Sequence, residues 1–150
     1  MVQVSPNTIT GGDNSPGYSY EHTTIEGFAF TQMSGVGWFG DLGNLLVMPT
    51  TGPLQKIAGR EDGSIGGYRS RYDKATETAR AGYYSALLTD YGIRAESSAT
   101  PHCGILRFTF PEGEQSRIQI DLARRVGGTS TWQPSGSTSR WWTSTPSPGG

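Results

Sequence analysis

The sequence predicts a mainly β protein with little helix, built as an antiparallel β-sandwich. Three observations carry this prediction. Apolar residues alternate with polar ones in four short segments between positions 84 and 122, the period of a half-buried strand. Glycine (22 residues), proline (9) and aromatics (11%) are abundant, which suits short strands joined by turns. No long stretch carries apolar residues at the spacing of an amphipathic helix.

From the N-terminus, Val2 and Val4 alternate with Gln3 and Ser5 as a strand that Pro6-Asn7 should end. The segment GGDNSPG (11–17) is a turn-rich loop, and IEGFAFTQ (25–32) reads as one strand with Phe28 and Phe30 on one face. Leu45 to Met48 is a short apolar run that Pro49 should stop. A polar loop spans Gly59 to Gly67, and SRYDKATETAR (70–80) is the one stretch where a helical turn or two is expected. Four strands follow, with turns at Asp90-Tyr91-Gly92 and Pro111-Glu112-Gly113. They carry Tyr84, Ala86 and Leu88; Ile93 to Ala99; Leu106, Phe108 and Phe110; and Ile118, Ile120 and Leu122. Such regular spacing predicts one antiparallel meander.

The totals narrow the function. A 150-residue chain forms one domain at most. A net charge of -1 gives no basic surface for nucleic acid or an anionic membrane. No apolar run approaches the length needed to cross a bilayer, and MVQVSPNTIT has neither part of an export signal. A lone cysteine, Cys103, excludes an internal disulfide or a multi-Cys zinc site, and reads as a mostly buried spacer.

The motif Gly35-Val36-Gly37-Trp38-Phe39-Gly40 matches the dinucleotide fingerprint G-x-G-x-x-G in form. That fingerprint needs a helix after its last glycine, so that amide groups meet the pyrophosphate. Here Gly43 and Pro49 follow, and no helix of useful length fits. His22 and His102 are far apart and form no metal-binding pair, and there is no G-x-S-x-G elbow. The carboxylates Glu21, Glu26, Asp41, Glu61, Asp62, Glu96 and Asp121 could supply an acid–base pair, but read as solvated or turn-capping groups. Trp38 is different. Flanking glycines let backbone approach a ligand, and an indole face is a rigid surface for a sugar ring. Asp41 just beyond could accept hydroxyl hydrogen bonds, although Trp38 could equally plug one end of a sandwich.

The order of four segments is more specific than any single motif: MVQVSPNT, GYSYEHTTIEGFAFTQMSGVGWFGDLGNLLVMPT, ARAGYYSALLTDYGIRAESSATPHCGILRFTFP and IQIDLARRVGG. Over residues 1–131 this series resembles the N-terminal domain of glycoside hydrolase family 92, which comprises calcium-dependent exo-α-mannosidases that cleave with inversion. The resemblance implies a β-sandwich that packs on a larger (α/α)6 helical domain, with the active site between them. It implies that Trp38 walls the mannose pocket, with Ser34, Gly35, Gly37 and Asp41 shaping the loop. Met33 stands where many relatives carry a histidine, which bears on any polar contact there. Inversion needs two carboxyl groups separated by room for a water. In the family these groups and the calcium ligands belong to the helical domain, so the resemblance implies no catalytic or metal-binding residue in this chain. The expected partners are a mannose-containing glycan and the helical domain. Relatives are commonly secreted or periplasmic.

After Gly128 the composition shifts to Ser, Thr, Pro and Trp without aliphatic side chains. The expectation is an incomplete sandwich over 1–131, lacking strands at both ends. Residues 132–150 form a tail that is disordered or read out of frame from near Gln133. In a shifted frame the Trp141-Trp142-Thr143 codons give Val-Asp, as in a strand of the family. The chain is therefore expected to be a fragment of an α-mannosidase, inactive alone. The alternative is a stand-alone carbohydrate-binding sandwich using Trp38.

Overall fold

A computed structural model describes residues 2–8, 17–30, 45–60, 66–121 and 141–144, the last by backbone alone. All their regular structure is strand: β1 (Ser5–Asn7), β2 (Thr24–Ile25), β3 (Gly27–Ala29), β4 (Leu46–Thr51), β5 (Ser70–Arg80), β6 (Tyr83–Leu88), β7 (Ile93–Ala99), β8 (Gly104–Thr109), β9 (Ser116–Asp121) and β10 (Trp141–Ser144). They form two five-stranded sheets, in the orders β1-β3-β4-β9-β10 and β2-β5-β6-β7-β8. Every pairing is antiparallel. The mainly β sandwich expected from the sequence is what forms.

The core lies between the sheets. Ile25, Phe28, Leu46, Met48, Leu88 and Ile93 are fully buried, joined by Tyr68 and Tyr72. Each large apolar side chain so enclosed contributes about 1.5–3 kcal/mol relative to exposure. On β8 the expected alternation holds, since Leu106 and Phe108 pack against this core while Ile105, Arg107 and Thr109 point to solvent.

The sheets differ from the sequence reading in four places. The meander comprises β5 to β8, but β9 crosses to the other sheet and pairs with β4 from Leu46↔Asp121 to Thr51↔Ser116. Alternation does not show which sheet receives a strand, and in β9 it also misreads the face: Gln119, opposite Met48, is buried, and Ile118 and Ile120 are half-buried on the other side. The segment from Thr24 to Ala29 is likewise two strands in two sheets, switching at Glu26. Pro6 and Pro49 lie within β1 and β4. β1 is an edge strand, where a missing donor is tolerated. β3 pairs with β4 only at Phe28↔Val47, so Pro49 has a ladder neighbour on the β9 side alone.

The fourth difference is the largest. Residues 70–80, expected to include helix, are the 11-residue strand β5. Ser70 and Tyr72 are buried at its start, and that packing overrides local helix propensity. The helix-like part survives as a bulge. Asp73 pairs with Leu87 and Thr78 with Ser85, so residues 74–77 of β5 stand opposite Ala86 alone. The bulge closes on itself: Ala75 N–H donates to Asp73 Oδ1 at 2.8 Å and Thr76 Oγ1 to the Asp73 carbonyl at 2.7 Å. The Leu87 amide then donates to Thr76 Oγ1 at 3.1 Å.

Two smaller expectations also change. Cys103 is exposed, in a tight turn where its amide donates to Thr100 Oγ1. Glu26 and Glu96 are buried and paired with arginines instead of being solvated. β10 falls within the segment 132–150 that the sequence reading set apart as a tail, and its backbone pairs with β9 from Trp141↔Asp121 to Ser144↔Ile118.

Candidate functional site

The sugar-binding residues expected from the sequence, Ser34, Gly35, Gly37, Trp38 and Asp41, lie in residues 31–44, outside the described residues. What is described is the frame on either side. Phe30 follows β3 and Leu45 precedes β4, adjacent strands of the first sheet paired at Phe28↔Val47. The Phe30 ring and Val4 close on Gly104, where an added Cβ would meet the ring at 2.9 Å and the valine closer still.

At that end of the sandwich the described residues form a cleft of about 780 Å³. Its walls are the N-terminal segment Val2 to Pro6, the tyrosines Tyr18, Tyr20, Tyr83 and Tyr84, and the bulged part of β5. Residues three apart in a regular strand point to opposite faces. Lys74 and Glu77 are three apart, yet both line the cleft, because both belong to the bulge. Bulges recur where a side chain must be re-aimed.

The polar geometry converges on Glu77. Tyr18 and Tyr84 both donate to its Oε1, at 2.8 and 2.7 Å. Burial first, and then the hydrogen bond to Glu77, push both phenols far above their ordinary pKa, so they stay donors. Tyr18 also meets the Tyr84 ring edge-on, with centroids 6.4 Å apart. Lys74 Nζ sits 4.0 Å from the centre of the Tyr20 ring, and Arg80 lies 4.8 Å over Tyr83, cation–π contacts of the usual range.

A second polar group is internal. Arg69 Nη2 pairs with Glu26 Oε2 at 3.2 Å, and their side chains are 3% and 0% exposed. Asn7 Nδ2 donates to the same carboxylate oxygen at 2.9 Å, while Arg69 Nη1 donates to the Thr8 carbonyl and Thr24 Oγ1, both at 3.1 Å. These bonds tie β1, the β2–β3 switch and the entry to β5 into one buried knot. A buried charge is tolerated when paired and hydrogen-bonded in this way.

Among the described residues no cluster of three or more His, Cys, Asp or Glu could hold a metal ion. His22 is engaged through Nδ1 with the Thr8 carbonyl at 3.0 Å.

Sequence reasoning missed the tyrosine cleft. Glu77 and Lys74 both fall in the stretch 70–80, where the sequence predicts a helical turn and no binding group. One signal is present: Tyr18 and Tyr20 stand two residues apart, and both line the cleft although the segment forms no strand.

Comparison with known proteins places this architecture. The family model of the glycosyl hydrolase family 92 N-terminal domain matches residues 1–145. A family 92 α-mannosidase from Bacteroides thetaiotaomicron is 39% identical over 83% of this chain, with a TM-score of 0.78. Its complex with mannoimidazole gives 38% identity over 84% of the chain and a TM-score of 0.79. In both the chain spans 17% of the enzyme. A protein of Arthroderma benhamiae described as a secreted glycosidase is 28% identical in an alignment of 124 positions that covers 76% of this chain and 15% of that protein. Two packed antiparallel sheets matched to these enzymes define a sandwich domain of a glycoside hydrolase. The chain belongs to glycosyl hydrolase family 92 and corresponds to the family's N-terminal domain.

Proposed function

We propose that the chain is the sandwich portion of an α-mannosidase that removes terminal mannose from α-mannosides and N-glycans. The observation that carries this reading is the 39% identity and TM-score of 0.78 to a family 92 α-mannosidase. Trp38 forms a wall of the sugar site in this reading, and Ser34, Gly35, Gly37 and Asp41 shape the loop that presents it. The carboxyl pair that drives inversion and the oxygen ligands that hold calcium come from the helical domain. The sandwich thus shapes the sugar site and leaves proton transfer to its partner. The likeness to a fungal protein described as secreted supports export of the enzyme.

The test is complementation. The purified chain is mixed with the part of the Bacteroides α-mannosidase that the chain does not span, and mannose release from an aryl α-mannoside is followed with calcium present. Release only from the mixture is expected. Release by the chain alone would overturn the division of labour, and a mixture that cleaves another glycoside would overturn the substrate.

A further inference from the structure

We infer that the tyrosine cleft is a binding subsite for a neutral hexopyranose, whose ring lies on Tyr20 and whose hydroxyls bond to Glu77 Oε2 and Lys74 Nζ. The inference rests on the glycoside reading above and adds a site built by β5, β6 and the Tyr18–Tyr20 segment.

Four observations support it. The cleft volume of about 780 Å³ lies within the range of small-molecule sites. Tyr20 is 72% exposed with Lys74 over one face, which leaves the other face as a platform for the apolar side of a sugar ring. Glu77 is held at Oε1 by two phenols, so neither of those bonds occupies Oε2. Lys74 and Glu77 supply a donor and an acceptor on the same wall, and only the bulge lets them share it. A carboxylate and an ammonium on one wall suit a ligand whose vicinal hydroxyls both donate and accept. The same carboxylate disfavours a phosphate or another anion.

The test uses the full 150-residue chain, titrated calorimetrically with methyl α-mannoside, α-mannobiose and the matching glucosides and galactosides. Tyr20→Ala and Lys74→Met are the informative variants, because both alter the cleft rather than the buried core, and a thermal melt of each confirms folding. The expected result is mannoside binding that weakens tenfold or more in both variants. Equal binding by the parent and both variants, with loss in Trp38→Ala, would overturn the inference and leave the mannoside reading standing. Tyr20-dependent binding of glucosides or galactosides, without mannosides, would support the sugar cleft and remove the mannoside reading. No binding of any of these sugars to the folded parent would overturn the inference.

Discussion

Several single residues carry consequences that can be measured. Glu96 is held well below the ordinary carboxylate range, at about 2, first by its hydrogen bonds from Arg107 at 2.6 and 2.7 Å and then by the Tyr83 hydroxyl at 2.7 Å. A carboxyl group whose folded pKa is depressed favours folding above its unfolded value and loses that contribution as pH falls through the folded value. The melting temperature should therefore fall between about pH 4.5 and pH 2, and Glu96→Gln should flatten that part of the profile. Asp90 adds in the same direction: burial alone would raise its pKa, but Arg71 outweighs burial and lowers it. Inside the sandwich, Arg69→Met would leave the Glu26 carboxylate without its guanidinium. Breaking a buried pair in this way costs about 3–5 kcal/mol, readable by urea denaturation. Gly67 admits no side chain, since an added Cβ would strike the backbone of Ala58 and Gly59. Gly67→Ala should cost about 1–3 kcal/mol, the usual penalty of overpacking. None of the three arginine partnerships was legible in the sequence. Arg107 stands opposite Glu96 across β7 and β8, and Glu26 and Arg69 adjoin the β2–β5 pair Ile25↔Ser70, a register that local spacing does not report.

At the scale of elements, the bulge in β5 is the feature to perturb. Its geometry depends on Thr76 Oγ1, which donates to the Asp73 carbonyl and accepts from the Leu87 amide. Thr76→Val keeps the branched shape but removes both bonds, at about 1–3 kcal/mol for the amide left unsatisfied. Faster hydrogen exchange at the Leu87 amide, with little change at Ala95 in the neighbouring β7, would locate that loss in the bulge. The same element shows why local pattern misleads. Lys74, Ala75 and Glu77 are good helix formers, and turn-like bonds do form there. They form inside a strand, because Ser70 and Tyr72 are anchored in the core on one side and β6 pairs on the other. Strand β8 was legible for the opposite reason. It has one buried face, so a period of two appears directly in Leu106 and Phe108. The crossing of β9 leaves no such trace, because Ile118 and Ile120 alternate in the same way whichever sheet receives them.

For the molecule as a whole, two kinds of information were available in the sequence. Strand period and turn residues gave the fold class, and the order of four segments gave the family. The cleft was hidden because it gathers Tyr18, Lys74 and Tyr84 from three separate stretches, and only the fold brings them together. The sandwich is one part of a larger active assembly in the proposed account, so its role is best read within an enzyme. The most direct measurement is mannose release by a chimera in which this chain replaces the matching 17% of the Bacteroides α-mannosidase. The account predicts cleavage of an α-mannoside with kcat/KM within about tenfold of the parent enzyme, and a further loss of about a hundredfold on Trp38→Ala. A folded chimera that leaves α-mannosides intact, or that loses nothing when Trp38 is removed, would contradict it.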